Sequence, residues 1–335
     1  MSLTATTVQE IAEGTATRTR VVTLTPAPAI DRVYMIDGLQ AGRVNRARHI
    51  EAHVAGNGVN LARDLHASGN VVRAVVPISF EDAAALTEGD DIFRVVSVPR
   101  AIRVNTVLIG ADGVTTNINQ AAHELTGLDW RALRATVGYE ALRIDADWIV
   151  VGGSLPAVSA SDGIDPADLF GAAHLNGARL CLDSPGAVVG DWLRRGAKLD
   201  LISPNIHELE ELHRAPIRTL GEAVDAARRV VDRGVGAVMV SLGHLGAVMV
   251  TPTQQLWAHT PPTRVVNTTG AGDAALAGLM AQWHGDEGSS LEQAMTRATR
   301  WGRAAVGLIT PTITPNDVED VEVRLESPLR SLSLH

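Results

Sequence analysis

The residues with the clearest chemical potential lie in the segment 266–278. There, Gly270, Ala271 and Gly272 precede Asp273 and a run of small residues that is typical of a helix. Two of these residues lack a Cβ, so their backbone N–H groups can approach a ligand closely. Free N–H groups at a helix start favour a bound phosphate. A carboxylate beside that phosphate can accept a proton from an attacking hydroxyl, which indicates phosphoryl transfer.

A simpler structural explanation applies to the same residues. A Gly-Ala-Gly turn followed by an aspartate that caps a helix has no chemical role. Short glycine patterns also occur by chance. The segment alone therefore leaves two alternatives open, a capped turn and a phosphoryl-transfer site, and the rest of the chain has to distinguish them.

A second glycine-rich segment lies at 55–63. Gly56, Asn57 and Gly58 open a predicted helix, and the glycines allow the backbone to approach a ligand. Asn60 on the first helical turn can bind a sugar hydroxyl. Upstream, Asp31 follows the first predicted strand and could accept hydrogen bonds from a sugar diol. A helix start and a turn cap explain these features equally well without a ligand.

Two further segments each have a structural and a functional interpretation. Asn205 and Glu208 lie three residues apart at a predicted helix start, and therefore on one helical face. They form either a capping pair or a site where Glu208 organises water around Mg²⁺. Ser241, Gly243 and Gly246 follow in a strand, a glycine turn and a second strand. This segment is either a plain hairpin or a surface where a nucleotide lies against bare backbone.

The segments that hold these residues alternate between strand and helix patterns along most of the chain. The predicted strands lie at 21–25, 71–78, 148–152, 179–183, 201–204, 237–242 and 246–250. The predicted helices include 59–68, 166–176, 220–234 and 274–283. Nearly continuous apolar strands that alternate with helices predict a doubly wound α/β fold, with a mostly parallel sheet and helices on both faces.

Two segments, 32–53 and 102–120, show strand patterns without an intervening helix. We expect them to pair as a small antiparallel sheet, a lid over the carboxyl edge of the main sheet, where ligands bind in such folds. The predicted division is a core at 20–31, 54–101 and 121–325, this lid, and a polar N-terminal extension at 1–19. The second face of the lid needs a cover, which a homodimer through the lid would provide.

Two arginines lie in these lid segments, Arg43 in the first and Arg103 in the second. An exposed arginine is usually part of the solvated surface. Two arginines on a lid could instead hold an anionic substrate, because a guanidinium matches phosphate with two hydrogen bonds.

The composition restricts the classes of partner. A formal net charge of −9 over 335 residues argues against nucleic acid or an anionic membrane as the main partner. Cys181 is the single cysteine, which excludes an intrachain disulfide and a multi-cysteine metal site. Residues 1–20 lack a signal-peptide pattern, and no apolar run approaches membrane-spanning length. We therefore expect a cytoplasmic enzyme.

In this order and spacing, the motifs resemble the PfkB/ribokinase family of carbohydrate kinases over about residues 20–325. Segment 267–278 is similar to the C-terminal signature of that family, 56–63 to the N-terminal signature, and 205–208 to its Asn-x-x-Glu magnesium motif. The resemblance implies a ribokinase-like fold, a lid that closes over a sugar, and ATP and Mg²⁺ as cofactors. It implies Asp273 as the catalytic base and Gly270, Ala271 and Gly272 as the anion hole.

The resemblance also assigns binding roles. Glu208 would hold the metal through water. The nucleotide-binding residues would be Asn205, Ser241, Gly243, Gly246, Thr269, Gly270 and Gly272. The substrate-binding residues would be Asp31, Arg43, Gly56, Asn57, Gly58, Asn60, Arg103 and Asn119.

Finer features are similar to the hexose-phosphate branch of the family, which contains phosphofructokinases and tagatose-6-phosphate kinase. Segment 42–46, Arg103 with Asn105, and Asn267 before the anion hole match this branch. Three positions depart from the family pattern. Asn57 and Ser203 stand where many members have lysine, and residues 120–122 replace Pro-Gly-Pro. The reaction type survives these departures, which bear on the identity of the substrate.

We therefore expect an ATP- and Mg²⁺-dependent kinase that phosphorylates a sugar hydroxyl, with a ketohexose phosphate as the favoured acceptor. This covers 1-phosphofructokinase, 6-phosphofructokinase and tagatose-6-phosphate kinase types, with Arg103 and Arg43 on the existing phosphate. One alternative is a kinase of an unphosphorylated sugar or nucleoside. Another is a catalytically weak sugar-phosphate or nucleotide binding protein, which Asn57 and Ser203 keep open.

Overall fold

The computed structural model describes residues 18–86, 90–159, 164–283, 290–310 and 312–334. The predicted N-terminal extension at 1–19 lies outside these ranges except for Arg18 and Thr19. Within the same ranges, every helix is too short or too polar to cross a membrane.

The described residues form fourteen strands and nine α-helices. The strands are β1 (Arg20–Leu24), β2 (Ala29–Met35), β3 (His49–Ala55), β4 (Val71–Ile78), β5 (Phe93–Ser97), β6 (Arg103–Ile109), β7 (Thr115–Asn119), β8 (Trp148–Gly152), β9 (Arg179–Asp183), β10 (Leu201–Ile202), β11 (Ala237–Ser241), β12 (Ala247–Val250), β13 (Gln255–His259) and β14 (Arg324–Glu326). The helices are α1 (Asn57–Ala67), α2 (Phe80–Leu86), α3 (Gly127–Ile144), α4 (Pro166–Asn176), α5 (Gly186–Arg194), α6 (Ile206–His213), α7 (Leu220–Val231), α8 (Ala271–Met280) and α9 (Leu291–Ala305).

The large sheet has ten strands in the order β14-β13-β12-β11-β10-β9-β8-β1-β4-β5. The seven strands from β11 to β5 in this order are parallel to one another. The pairs β11–β12, β12–β13 and β13–β14 are antiparallel. Side chains alternate between the two faces along each strand. In β1, Val22 and Leu24 enter the apolar layer under α3–α7, whereas Val21 enters the layer under α1, α8 and α9. The predicted doubly wound, mostly parallel fold is confirmed.

The small sheet, the lid, has the strand order β3-β2-β6-β7. It was expected to be antiparallel, but β2 and β6 are parallel, so the expectation was wrong for the central pair. The reason is that both strands leave the core at the same end of the lid, where Ala29 pairs with Arg103, and run outward together. The lid is therefore a mixed sheet.

The lid ladder also extends past the segments expected from the sequence. Residues 29–31 of β2 remain paired with residues 53–55 of β3, so the sheet reaches three residues back from position 32. The inner face of the lid carries Val33, Val107 and Ile109, which are buried and pack against Ile309. This contact holds one face of the lid on the core.

Candidate active site

Asp273 lies in the first turn of α8, which begins after Gly270 in the left-handed conformation (φ 81°). A side chain at position 270 would be strained there, which explains the glycine. The carboxyl of Asp273 is buried and accepts a hydrogen bond from the amide of Asn60 on α1, with an Nδ2–Oδ2 distance of 2.8 Å. The two signature segments therefore meet directly, although these residues lie 213 positions apart in the chain.

The electrostatic surroundings of Asp273 raise its proton affinity. Burial raises the pKa of Asp273 well above its usual range, and the neighbouring carboxyl of Asp183 raises it further. Asp64 and Glu208 raise this pKa as well, whereas the hydrogen bond from Asn60 lowers it. A carboxyl whose pKa is shifted upward from the usual acidic value is suited to accept a proton as a general base.

The first turn of α8 is open to a ligand. The first N–H groups of a helix have no acceptor within the helix. Gly272 is exposed, and among the described residues no atom beyond its chain neighbours and its own helix backbone lies within 4 Å of the place where its Cβ would stand. Gly270 and Ala271 beside it are half-buried. The N–H of Ala271 donates to the carbonyl of Thr268 at 3.4 Å. An anionic group can reach the helix start without displacing a side chain at Gly272.

The loop before α8 is anchored by Asn267, which is buried. Its Oδ1 accepts a hydrogen bond from the N–H of Thr269 at 3.0 Å, and its Nδ2 donates to the carbonyl of Ile309 at 2.8 Å. The hydroxyl of Thr269 is buried and has no hydrogen-bond partner among the described residues. A phosphate oxygen beside the helix start would satisfy this hydroxyl.

Close packing explains the glycines of the second signature. A Cβ on Gly58 would lie 2.5 Å from the hydroxyl oxygen of Thr25, and a Cβ on Gly56 would lie 2.7 Å from the methyl carbon of Thr25. The two glycines let α1 begin directly against the end of β1. They are thus required by the fold itself, and they bring Asn57 and Asn60 to the edge of the sheet.

Asn57 binds a carboxyl that the sequence analysis did not include among the candidates. Its Nδ2 donates to Oδ2 of Asp183 at 2.9 Å. Asp183 ends β9 and is buried, and burial raises its pKa to about 7, with a further contribution from Glu208. Its position at the carboxyl end of a predicted parallel strand was the available signal. We refer to Asn57, Asn60, Asp183 and Asp273 as the floor.

A row of polar side chains crosses the inner face of the lid. Register pairs His53 with Asp31, Asp31 with Asn105, and Asn105 with Asn119, so the four side chains share one face. Oδ1 of the buried Asp31 accepts a hydrogen bond from Nδ2 of Asn105 at 2.9 Å, whereas Asn119 is exposed on the edge strand. We refer to these four residues as the lid row. His53 was not among the predicted residues.

Arg103 lies at the base of the lid, and its guanidinium already binds backbone carbonyls. It donates to the carbonyl of Ala27 at 2.9 Å and to that of Gln120 at 2.8 Å, and Nε also approaches the carbonyl of Pro28. Three of the five N–H groups of the side chain are engaged in this way. The side chain of Gln120 in turn accepts a hydrogen bond from the N–H of Val104 at 2.9 Å. Gln120, a departure from the family pattern, thus supports the strand that carries Arg103.

Arg43 lies far along the lid from this cluster. It is exposed in the connection between β2 and β3, beyond Met35 at the distal end of β2. The side chain of Asn45 folds this connection, because its amide donates to the carbonyls of Gln40 and Arg43 at 3.0 Å each. The structure does not bring Arg43 to Asp31.

The predicted nucleotide segment is built around a capped helix. Oδ1 of Asn205 accepts the N–H groups of His207 and Glu208, and Glu208 accepts the N–H of Asn205 at 2.9 Å. Burial raises the pKa of Glu208. A backbone bridge sets Asn205 beside Ser241, which precedes a 3₁₀ turn over Gly243–Leu245. Ser241, Gly243 and Gly246 therefore lie next to the start of α6.

The carboxyl groups of this region are not arranged as a direct metal cage. Among the described residues, no group of three or more His, Cys, Asp or Glu side chains is placed to hold a metal ion. Asp183 is nevertheless buried and Glu208 half-buried, and the carboxyl of Glu208 raises the pKa of Asp183. A hard divalent cation bound mainly through water and phosphate fits such oxygen donors.

Known proteins with similar sequences are sugar-phosphate kinases by name. The chain is 31% identical to the 1-phosphofructokinase of Rhodobacter capsulatus, over 88% of this chain and 93% of the relative. It is 32% identical to the 1-phosphofructokinase of Xanthomonas campestris pv. campestris, over 89% and 95% respectively. These similarities confirm the predicted hexose-phosphate branch.

The fold matches solved structures of low sequence identity. Phosphofructokinase-2 from Escherichia coli, in complex with substrates and products, superposes with a TM-score of 0.78 at 24% identity, over 90% of this chain and 98% of that one. A possible 1-phosphofructokinase from Thermotoga maritima superposes with a TM-score of 0.75 at 18% identity, over 92% and 100%. The predicted ribokinase-like fold is confirmed.

The family model described as pfkB family carbohydrate kinase matches residues 19–316. This range includes every residue of the floor and of the lid row. The chain therefore belongs to the pfkB family of carbohydrate kinases.

Proposed function

We propose that this chain transfers the γ-phosphoryl group of ATP to a hydroxyl of a ketohexose phosphate, with fructose 1-phosphate as the first candidate acceptor. The observation that carries the proposal is the contact between Asn60 and Asp273. It sets a buried carboxyl with a raised pKa at the open start of α8, beside the glycine-rich segment. The names of the similar relatives support fructose 1-phosphate over fructose 6-phosphate and tagatose 6-phosphate.

In the proposed reaction, Asp273 accepts the proton of the sugar hydroxyl as the hydroxyl oxygen forms a bond to the γ-phosphorus. The bond between that phosphorus and the bridging oxygen of ATP breaks, and ADP leaves with the electron pair. The N–H groups at Gly270, Ala271 and Gly272 stabilise the negative charge on the transferred group, the kind of electrostatic effect that dominates phosphoryl transfer. Asn60 orients the carboxyl that takes the proton.

The nucleotide would lie along the segments at the start of α6 and α8. Asn205, Ser241, Gly243, Gly246 and Thr269 would contact it, with its phosphates toward Gly270 and Gly272. Glu208 would hold Mg²⁺ through water, with Asp183 as the neighbouring carboxylate. When bound, Mg²⁺ offsets the negative charge of the phosphates.

The sugar would lie between the floor and the lid. Asp31, Asn57, Gly58 and Asn60 would surround its hydroxyl groups, with Gly56 beneath and Asn119 at the open edge. Arg103 is the candidate for the existing phosphate, because two of its N–H groups remain free for an anion. Arg43 would assist only if the lid tip moved inward.

One observation favours a second candidate, a kinase of an unphosphorylated sugar or nucleoside. The guanidinium of Arg103 is held by backbone carbonyls of Ala27 and Gln120, which is the pattern of a structural arginine. In that case Arg103 stabilises the base of the lid and no phosphate is required on the acceptor.

We also propose that two copies of the chain pair through the outer faces of their lids. Ile50 and Ile118 on that face are 57% and 59% exposed. The register pairs Ile50 with Tyr34 and Ile118 with Thr106. Apolar side chains on an unpaired sheet face are stabilised when a second sheet covers them.

The test of the activity is a screen for ADP release with ATP and Mg²⁺. The acceptors are fructose 1-phosphate, fructose 6-phosphate, tagatose 6-phosphate and the corresponding free sugars. We expect the largest kcat/KM with fructose 1-phosphate. Higher kcat/KM with a free sugar or a nucleoside would support the second candidate, and no release with any acceptor would support the binding-protein alternative.

A further inference from the structure

His53 is the end member of the lid row on β3, the edge strand that leads into α1. It belongs to β3, and its register partner on β2 is Asp31. On the other side of Asp31 lies Asn105, which already donates a hydrogen bond to that carboxylate. His53 therefore faces the same side of the lid as the residues proposed to bind the sugar hydroxyls.

The imidazole of His53 has no partner for either of its nitrogens. Nδ1 and Nε2 are both shielded from solvent, and neither has a hydrogen-bond partner among the described residues. Oδ1 of Asn105, two strands away, is unpaired in the same way. A buried polar group without a partner destabilises the folded state, because it has given up its hydrogen bonds to water, so a side chain that serves packing alone would be better apolar.

The neighbouring charged groups do not use the ring. Arg63 on α1 donates to the carbonyl of Val54 and forms an ion pair with Asp90 at 3.6 Å. Glu51 on β3 pairs with His49 at 2.8 Å. The free hydrogen-bonding capacity of His53 thus remains directed at the inner side of the lid.

The ionisation of the ring is set by opposing effects. Burial lowers the pKa of His53 and Arg63 lowers it as well, whereas Asp31 and Glu51 raise it, and burial is the largest of these. The ring is therefore neutral at pH 7, with one N–H donor and one lone pair. This combination matches a hydroxyl group, which both donates and accepts.

Resting on the function proposed above, we propose that His53 is a specificity-determining residue that binds a hydroxyl of the sugar next to the one held by Asp31. A phosphate is excluded from this end of the lid row, because the carboxylate of Asp31 repels it and a neutral ring offers a single donor. The contact requires the lid to lift from α1 far enough to admit the hydroxyl. His53 thus binds the hydroxyl end of the acceptor, while Arg103 lies toward the phosphate end.

The kinetic test compares His53→Phe, which keeps the ring shape without nitrogens, with His53→Gln, which restores a donor and an acceptor. We expect His53→Phe to raise KM for the sugar phosphate about tenfold, with KM for ATP changed less than about twofold. His53→Gln should recover at least half of the loss on a logarithmic scale. The matched control is His49→Phe, which replaces the exposed histidine of the same strand and should leave both KM values unchanged.

A direct readout needs no turnover. In ¹⁵N spectra of the wild-type protein, the ring signals of His53 are identified by their absence in His53→Gln, and fructose 1-phosphate is added without ATP. We expect these signals to shift at saturation while those of His49 do not. Unshifted His53 signals, or an unchanged KM in His53→Phe, overturn the inference. Failure of the proposed function is distinct, since it appears as an absence of ADP release from wild-type protein.

Discussion

The floor and the lid row hold polar groups in opposite ways. On the floor, Asp273 and Asp183 are buried in the core, and each accepts a hydrogen bond from one asparagine. Burial raises the pKa of both carboxyls, and Asp183 raises the pKa of Asp273 further. In the lid row, the carboxylate of Asp31 accepts a hydrogen bond from Asn105 on the neighbouring strand. The exposure of the side chains increases from Asp31 through Asn105 to Asn119. The floor is thus distinguished by the shifted pKa values of its carboxyls, and the lid row by the spacing that strand register gives its side chains.

This difference indicates which part performs which task. Carboxyls crowded in a low-dielectric region have shifted proton affinities, and shifted proton affinities are what acid–base chemistry needs. Side chains spaced by strand register offer fixed positions for hydrogen bonds, which is what recognition of a polyol needs. We therefore expect changes on the floor to reduce kcat and changes on the lid to raise KM for the sugar.

The largest effect is expected at the floor, from Asp273→Asn. Removal of the proton acceptor should lower kcat by about 10³-fold while KM for ATP and sugar change little. Single-turnover and steady-state ADP release measure this, and circular dichroism checks that the variant is folded. Near-wild-type turnover in a folded Asp273→Asn variant would falsify the assignment of the base and remove the main contrast between floor and lid.

The next effect is expected at the base of the lid, from Arg103→Ala. Loss of a charged hydrogen bond to the substrate phosphate should raise KM for the sugar phosphate about 10–100-fold, with kcat nearly unchanged. Arg100→Ala, which removes an exposed arginine three positions earlier, is the matched control. If Arg103→Ala instead lowers thermal stability and leaves KM unchanged, the arginine is structural and the unphosphorylated acceptor is favoured.

A third effect concerns the outer face of the lid. Ile118→Lys should abolish the proposed lid-to-lid dimer, because it would set a charge against an apolar face in each copy. Sedimentation velocity measures the association state, with Val114→Lys in the turn before β7 as the control at an equally exposed position. A monomeric wild-type protein, or a dimer unaffected by Ile118→Lys, would contradict the proposed interface.

The smallest effect is expected from Asp64, which lies one turn after Asn60 on α1. It is fully buried, its Oδ1 accepts the N–H of Ile313 at 2.8 Å, and burial raises its pKa to about 8. Between the unfolded pKa near 4 and the folded value, the folded state binds more protons. The contribution of Asp64 to stability therefore falls as pH rises through this window.

Asp64→Asn removes this titration. We expect its gain in Tm over the wild type to be a few degrees larger at pH 8.5 than at pH 5, measured by differential scanning calorimetry. Asp91→Asn, at an exposed site, should show no such difference between the two pH values. Equal differences in Tm at both pH values would mean that Asp64 does not hold its proton in the folded state.

Much of the fold followed from local patterns. Alternation of apolar strands and helices predicted the doubly wound sheet, because hydrophobic periodicity reflects burial on two faces. The strand directions in the lid did not follow, since alternation within β2 and β6 is the same whichever way they pair. The capping pair of Asn205 and Glu208 was one of two explanations left open, and the structure shows its hydrogen bonds.

The sequence by itself determined the glycine-rich helix start before Asp273, the family of the chain and the approximate extent of the lid, because these depend on residue types at short spacing. Only the tertiary structure decided that Asn60 holds Asp273, that Asn57 binds Asp183 across 126 positions, and that His53 lies beside Asp31. Contacts between distant segments depend on strand order and register. Strand order and register are set by the packing of the whole chain, so they produce no local pattern of residue spacing in the sequence.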